Sequence, residues 1–448
     1  MTAWFLERMH GFGAAEAIVH NGRSVSYAEL FDLTTEWQRH LDHIGVRAGQ
    51  VVVLEAVSGV EACAGLLALI ARGAIAVPLT PLSAAKRTEF HDIAQVETVI
   101  TLDAHGGGRF SHHTGRTAGH DLYRRLREAG APGLVLFSSG TTGRSKASVL
   151  DFSKVLAKYG PARRPKRTVG FLNLDHIGGI NTLFHTLAQG GALITLTVRT
   201  PDAVCAAIEA HRIQVLPTTP TFLNMLLISG AYAHHDLSSL ELVTYGTEPM
   251  PLGVLKRLNE ALPGVRLKQT YGLSELGILS TKSRGNDSLW VKLGGDGFDH
   301  SIRDGVLWVR SDMAMLGYLN APAPFDENGY FNTQDAVEVD GDYVRILGRK
   351  SEIINVGGEK VYPSEVENVL LELPFVGDAT VSGRRNHVTG QVVTALVKLT
   401  ERLDAREVAE RVRAHCRGRL EAYKVPLLVE VSDDDQHSDR FKKIRSAS

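Results

Sequence analysis

The chain has 448 residues, 44% hydrophobic and 22% charged, a composition that excludes wholesale disorder and supplies enough apolar surface for large cores. Its 49 Lys and Arg against 50 Asp and Glu leave a net charge of −1, so no global field draws the chain to nucleic acid or an anionic membrane. Cys63, Cys205 and Cys416 stand far apart with no Cys-x-x-Cys pair, which argues against a disulfide framework or structural zinc and for a reducing, cytoplasmic setting. At roughly 150 residues per domain, the length accommodates two or three folding units. The N-terminus, MTAWFLERMHGFG, lacks the basic-then-apolar pattern of a leader, and no window approaches the ~20 apolar residues of a membrane span.

In chain order, residues 51–55 read as a buried strand, 61–72 as a helix and 74–78 as a second strand. The longest apolar run, residues 64–71, therefore falls in a buried helix. Around Gly106-Gly107-Gly108, the residues His105, His112, His113 and His120 match no zinc spacing and read as a solvated loop. A strand at 134–137 runs into FSSGTTGRSK, residues 137–146. The pattern then resumes, with strands at 193–196 and 214–217 and helices at 200–211 and 221–230. Such alternation predicts parallel sheets covered on both faces. From 301 to 344 the strands are short (306–309, 337–339, 343–347), and the turn pairs Asp304-Gly305 and Asp340-Gly341 predict an antiparallel portion. Beyond Arg349, Ser364 and Glu367 have capping-box spacing for a helix over 364–372. A strand at 391–399, an amphipathic helix over 403–420 and a basic tail, RFKKIR, complete a second unit.

FSSGTTGRSK suits anionic oxygens: glycines let backbone N–H groups approach a ligand, Ser138, Ser139, Thr141 and Thr142 add donors, and Lys146 adds charge. It is not a Walker loop. Two residues separate Gly140 from Gly143 where that pattern needs four before its Gly-Lys pair, and Ala147 rather than Ser or Thr follows Lys146. Read by itself, the stretch fits a phosphate loop and a surface turn equally.

The segment also resembles the phosphate-binding signature of the adenylate-forming superfamily, which comprises acyl- and aryl-CoA ligases, luciferases and adenylation domains of peptide synthetases; Ser145 stands where that signature commonly has Pro. Further matches follow in the family's order. Leu174-Asp175-His176-Ile177-Gly178-Gly179 is similar to the segment at the acyl pocket, and Tyr245-Gly246-Thr247-Glu248-Pro249 to the loop beside the adenine. Thr270-Tyr271-Gly272-Leu273-Ser274-Glu275 resembles YGxTE, Leu316-Gly317-Tyr318-Leu319-Asn320 resembles GYxN, and Asn332-Thr333-Gln334-Asp335 resembles TGD. The run from Gly348 to Val361, GRKSEIINVGGEKV, resembles the junction of the large and small domains.

The resemblance implies an α/β fold. A large N-terminal domain, residues 1–348, would hold layered mixed sheets with helices plus an antiparallel β portion at 301–348; a hinge at 349–351 would lead to a small mobile C-terminal α+β domain, 352–448. It implies ATP as co-substrate, held by Ser138, Ser139, Gly140, Thr141, Thr142, Gly143 and Lys146 at the phosphates and by Gly246, Thr247, Glu248, Tyr271, Gly272 and Ser274 around the base. Asp335 and Arg349 would hold the ribose. Glu275 would bind Mg2+, a hard cation that prefers oxygen ligands. His176, Thr218, Gly246 and Gly272 would face the acid, and Gly357 and Gly358 would border a thiol channel, although a glycine pair also makes a plain tight turn. The family's C-terminal catalytic lysine aligns on Lys442, with Lys443 as the alternative and Phe441 where a Gly is usual. Ser351 replaces the usual Asp or Lys of the hinge.

The expected reaction is ATP-dependent activation of a small-molecule carboxylic acid as acyl- or aryl-adenylate with release of pyrophosphate, then transfer to CoA. A carrier-protein thiol or an amine is the alternative acceptor, and a nucleotide-binding protein without turnover is a third reading. His176 marks the acid pocket, while Asp175 occupies an apolar or aromatic position of the family and points away from an α-ammonium substrate.

Overall fold

The computed structural model describes residues 2–103, 108–138, 145–434, 436–437 and 443. Strand Val51–Glu55 is buried at every position, as a strand must be when helices cover both faces of its sheet. It lies in a seven-stranded sheet whose centre runs parallel through Gly133–Ser138, Ile75–Leu79, Val51–Glu55 and Thr98–Leu102. Antiparallel strands close both edges. A second seven-stranded sheet orders Arg266–Gln269, Leu242–Tyr245, Val215–Thr218, Arg167–Gly170, Ala192–Thr195, Glu16–His20 and Arg23–Ser26, parallel but for the last pair. Helix Val60–Ala71 is apolar almost all round and buried over most of its length, which is the fate of a helix with no polar face. Trp37, Tyr27, Phe5, Phe152 and Phe184 fill the same core. Among the described residues, no helix is long and apolar enough to cross a membrane.

The third sheet is antiparallel, and it begins at Tyr271–Leu273, thirty residues before the expected start at 301. Its first strand is only three residues long with Gly272 at its middle, and the alternate buried positions of the second are Gly277, Leu279 and Thr281, so little of the pattern reads as apolar alternation. The turn at Asp304-Gly305 is a two-residue hairpin with positive φ at both positions, as anticipated. In the next hairpin the turn is Gly341-Asp342, one residue later than expected, because Asp340 still pairs with Tyr343.

A five-stranded sheet follows, starting at Ile354–Val356. Gly357 and Gly358 form the two-residue turn of its first hairpin, with φ of 61° and 94°. The capping box at Ser364 does not form. Pro363 takes the first helical position of Pro363–Leu370 and moves the cap to Tyr362, so Ser364 instead donates 2.6 Å to the Leu347 carbonyl. Glu367, buried, accepts from the Val381 N–H at 3.0 Å. This C-terminal unit rests on helix Pro220–Ser229, where buried Asn224 donates 2.8 Å to the Gly377 carbonyl.

The His-rich stretch also differs from expectation. His112 and His113 lie on an edge strand, Arg109–His113, and His120 caps helix Asp121–Glu128, while His105 is outside the described residues. His113 bridges Thr98 Oγ1 (3.0 Å) and the Ile44 carbonyl (2.8 Å).

Gly178 and Gly179 open helix Ile177–Ala188 against the turn before it: a Cβ on Gly179 would sit 2.0 Å from the Asn173 carbonyl oxygen. Gly253, in helix Leu252–Ala261, has open space around it. Gly179→Ala should therefore lower the unfolding free energy by about 3 kcal/mol or more, whereas Gly253→Ala should leave it unchanged or raise it by up to about 1 kcal/mol, as read by urea denaturation.

Candidate active site

In the mainly parallel second sheet, neighbouring strands end in register. Thr218 pairs with Tyr245 and Tyr245 with Gln269, so Thr218, Gly246 and Thr270 line up along one edge, the carboxyl edge at which open α/β sheets bind ligands. The Thr270 N–H and hydroxyl both donate to the Tyr245 carbonyl, at 2.7 and 3.0 Å. Gly246 is pressed against this contact: a Cβ there would meet Thr270 Oγ1 at 2.6 Å. Thr218 is buried, and its hydroxyl has no hydrogen-bond partner among the described residues. Thr247 adopts φ of 75°, which a Thr holds only when its surroundings impose it.

Tyr271 begins the antiparallel sheet directly after Thr270, and Gly272 pairs with Ile278 so closely that a Cβ would lie 2.5 Å from Ile278 Cδ1. The Tyr271 hydroxyl donates 2.5 Å to Asp335 Oδ2, both residues being buried. Asp335 stands opposite Arg349 in the ladder of Phe331–Asp340 with Tyr343–Arg349, and Arg349 Nε lies 3.7 Å from Asp335 Oδ1. Just before Asp335 in the same strand, Gln334 has φ of 62° and donates from its N–H to Asn332 Oδ1 at 3.0 Å. Desolvation by burial, then the Asp335 charge, drives the Tyr271 phenol well above its ordinary range. Arg349 is partly desolvated, but Asp335, then Glu275 and Tyr271, outweigh that and hold its proton more firmly still.

Glu275 sits in the tight loop between Leu273 and Gly277. Its carbonyl accepts from the Met315 N–H at 2.7 Å, and its Oε1 accepts from the Tyr318 hydroxyl at 2.6 Å. Tyr318, whose phenol is raised by burial and then by Glu275, belongs to an edge strand of the first sheet, beside Lys146–Asp151. The Lys146 ammonium lies 5.3 Å from the Tyr318 ring centroid. Asn320 grips the end of the phosphate loop, accepting from the Ala147 N–H (3.1 Å) and donating to the Ser145 carbonyl (2.8 Å). Of the loop itself, Ser138 ends strand Gly133–Ser138 opposite Lys146, while Ser139, Gly140, Thr141, Thr142 and Gly143 lie outside the described residues. One nearly buried carboxylate, Glu275, fits Mg2+, which keeps most of its coordination for water and phosphate oxygens.

His176 caps helix Ile177–Ala188, its Nδ1 accepting from the Gly178 N–H at 2.9 Å. Asp175, buried, accepts from Thr80 at 3.1 Å. Glu248 is committed to Thr221, whose N–H (2.8 Å) and hydroxyl both donate to it, and to the Lys443 N–H (3.1 Å). The Lys443 ammonium is engaged as well: it donates to the Ala379 carbonyl and lies 3.2 Å from Asp378 and 3.8 Å from Glu367. Lys442 is outside the described residues. Ser274 follows Leu273 on the loop that carries Glu275. Tyr318 and Asn320 were given no role from the sequence, although both fall in its GYxN-like segment.

The model of the AMP-binding enzyme family matches residues 5–319, and that of the AMP-binding enzyme C-terminal domain matches 365–442. The chain belongs to this adenylate-forming superfamily. It is similar to an indoleacetate–CoA ligase of Aromatoleum aromaticum, 28% identical over 468 residues that cover 92% of this chain and 90% of the relative. Its fold is like that of o-succinylbenzoate CoA synthetase from Bacillus subtilis, solved with an acyl-adenylate intermediate (TM-score 0.78, 22% identity, covering 98% and 96%). It is also like that of the amide bond synthetase McbA from Marinactinospora thermotolerans (TM-score 0.78, 24% identity, covering 96% and 95%).

The Tyr271–Asp335 hydrogen bond has a charged acceptor in a buried site, so Tyr271→Phe should lower unfolding free energy by about 1.5–3 kcal/mol. Urea titration checks this, and a change below 0.5 kcal/mol, on the order of a neutral surface substitution, would contradict it.

Proposed function

We propose that this enzyme joins the carboxylate of a small organic acid to the α-phosphate of ATP, expels pyrophosphate, and then passes the acyl group to the thiol of CoA with release of AMP. The observation that carries this reading is the linked set Tyr271, Asp335, Arg349, Glu275 and Tyr318, which gathers two buried aromatics, two carboxylates and one guanidinium beside the carboxyl edge of a parallel sheet. The CoA-ligase name of the Aromatoleum relative supports the acceptor.

Asp335 would accept from ribose hydroxyls, with Arg349 alongside, and Tyr271 would offer a face to the adenine. Mg2+, when bound at Glu275, would neutralise phosphate charge as the leaving group departs. Tyr318 orients Glu275 through its hydrogen bond, and Lys146 adds a cation at the pyrophosphate side. His176, fixed as a helix cap, and Thr218 border the acid. Lys443 is held by Asp378 and Glu367, which favours Lys442 as the ammonium that would bridge the carboxylate and the α-phosphate. A hinge at 349–351 lets the C-terminal unit, residues 352–448, approach in a second orientation. The hairpin turn at Gly357 and Gly358, with open space around it, leaves bare backbone for a thiol chain.

Labelled pyrophosphate should enter ATP only when a suitable acid is present; no exchange with any acid in a broad panel contradicts the reading. Adding free CoA to the active acid should yield the thioester by mass spectrometry. Adenylate that persists until a carrier protein or an amine is supplied transfers the assignment to that acceptor. Lys442→Ala should abolish exchange, by about 100-fold or more, while ATP still binds. Lys443→Ala should chiefly lower thermal stability. The reverse pattern would move the catalytic role to Lys443.

A further inference from the structure

Lys158, at the end of helix Phe152–Ala157, reaches between the two elements that border the acid. One is helix Ile177–Ala188, capped by His176 and carrying Asn181 and, one turn further, His185. The other is strand Gly277–Ser283, in which Ile278 pairs with Gly272. The Lys158 ammonium donates to Asn181 Oδ1 at 3.1 Å and to the Ile278 carbonyl at 2.5 Å, and the Tyr159 hydroxyl shares the same Asn181 oxygen at 3.1 Å.

Both partners of Lys158 are neutral, and it pairs with no carboxylate among the described residues. Its charged neighbours are also cations or bases. Desolvation, with the charges of Lys268 and Arg163, pushes Lys158 down to about 8. Lys268 is lowered by its own desolvation and by Arg266 and Arg163. His185, although its ring reaches solvent, is pushed down to about 4 by desolvation and by Arg163, Lys158 and Lys268. Lys268 and Arg163 form no ion pair among the described residues. A half-buried ammonium held only by the neutral Asn181 and Ile278 oxygens, with further positive charge from Lys268 and Arg163, is suited to an anion as its remaining partner. Lys158 is half-buried and His185 exposed, so solvent reaches this group of bases.

We infer that the acid activated here is a dicarboxylic acid, whose far carboxylate binds Lys158 between Asn181 and Ile278 while its near carboxylate lies by His176 and Gly272. The inference rests on the acid-activating function proposed above and specifies its substrate class. It makes Lys158 a specificity-determining residue. Near neutral pH the ammonium stays mostly charged, and bound carboxylate would favour that form further.

Matched acids test it: butanoate against pentanedioate, and benzoate against benzene-1,3-dicarboxylate, compared by kcat/KM for pyrophosphate exchange. The wild type should prefer the diacid of at least one pair by about tenfold or more, because a site built around a polar partner rejects the analogue that lacks it. Lys158→Met should abolish or invert that preference, and Lys158→Arg should retain part of it. In a second readout, an amine-acylating reagent at pH 8 is applied with an ATP analogue that cannot be cleaved between the α and β phosphorus. The preferred diacid should slow modification of Lys158, scored by peptide mass spectrometry, and the matched monoacid should not. Exchange that favours the monoacids, with no protection by either diacid, overturns the inference and leaves the acid-activating function standing. No exchange with any acid overturns that function and the inference together.

Discussion

The ion pair between Arg349 and Asp335 is the contact on which the site depends, because it is set by strand register rather than by side-chain reach. The two residues face each other only while Asp340 pairs with Tyr343 around the Gly341-Asp342 turn and a bulge is absorbed between Ala336 and Val337. A slip of one residue would turn Asp335 to the opposite face of the sheet. Tyr271, from the far edge of the same sheet, then finds its hydrogen-bond partner, and Glu275, four residues on, comes under the influence of the same guanidinium. Positive φ at Gln334 is the local strain that this placement sustains, and such strain persists where the surrounding structure over-determines it.

Around this pair the architecture is largely a matter of edges. The parallel sheet delivers Thr218, Gly246 and Thr270 to its carboxyl end, the first sheet delivers Lys146 and Tyr318 through antiparallel edge strands, and the third sheet contributes the charged centre. Glycines sit where these elements approach most closely: Gly246 against Thr270, Gly272 against Ile278, and Gly179 against Asn173. The C-terminal unit is joined to the same region by Asn224 with Gly377, Ser364 with Leu347, and Glu248 with the backbone of Lys443. Each of these links is a single hydrogen bond or a short cluster of them. The buried apolar cluster that holds Phe222 and Leu226 also takes in Leu370 and Val376 of the C-terminal unit.

Much of the fold was legible because burial leaves period and composition in the sequence. The run VVVLE, buried at every position, could scarcely be anything but a covered strand, and helix Val60–Ala71, apolar but for Glu61, announced its place between layers. The early antiparallel strands were not legible, since the first is three residues long around Gly272 and the buried positions of the second include Gly277 and Thr281 as well as Leu279. The Ser364 capping box failed because Pro363 competes for the first helical position. At the site, motif resemblance singled out Tyr271, Glu275, Asp335 and Arg349 one by one, but their partnership arises from register, which no local spacing records. Tyr318 lay within a recognised segment without a role, because its bond to Glu275 joins different sheets. Lys158 left no signal: a lysine at the end of a short helix reads as solvated, and only tertiary packing sets it between Asn181 and Ile278.

The central claim is that the register-fixed pair, together with Tyr271, forms a nucleotide site. Crystals grown with AMP test it most directly. The account predicts the adenine against the Tyr271 ring and the ribose hydroxyls within hydrogen-bond distance of the Asp335 carboxylate, with Arg349 beside them. A nucleotide bound elsewhere, or ribose hydroxyls directed away from Asp335, would contradict it.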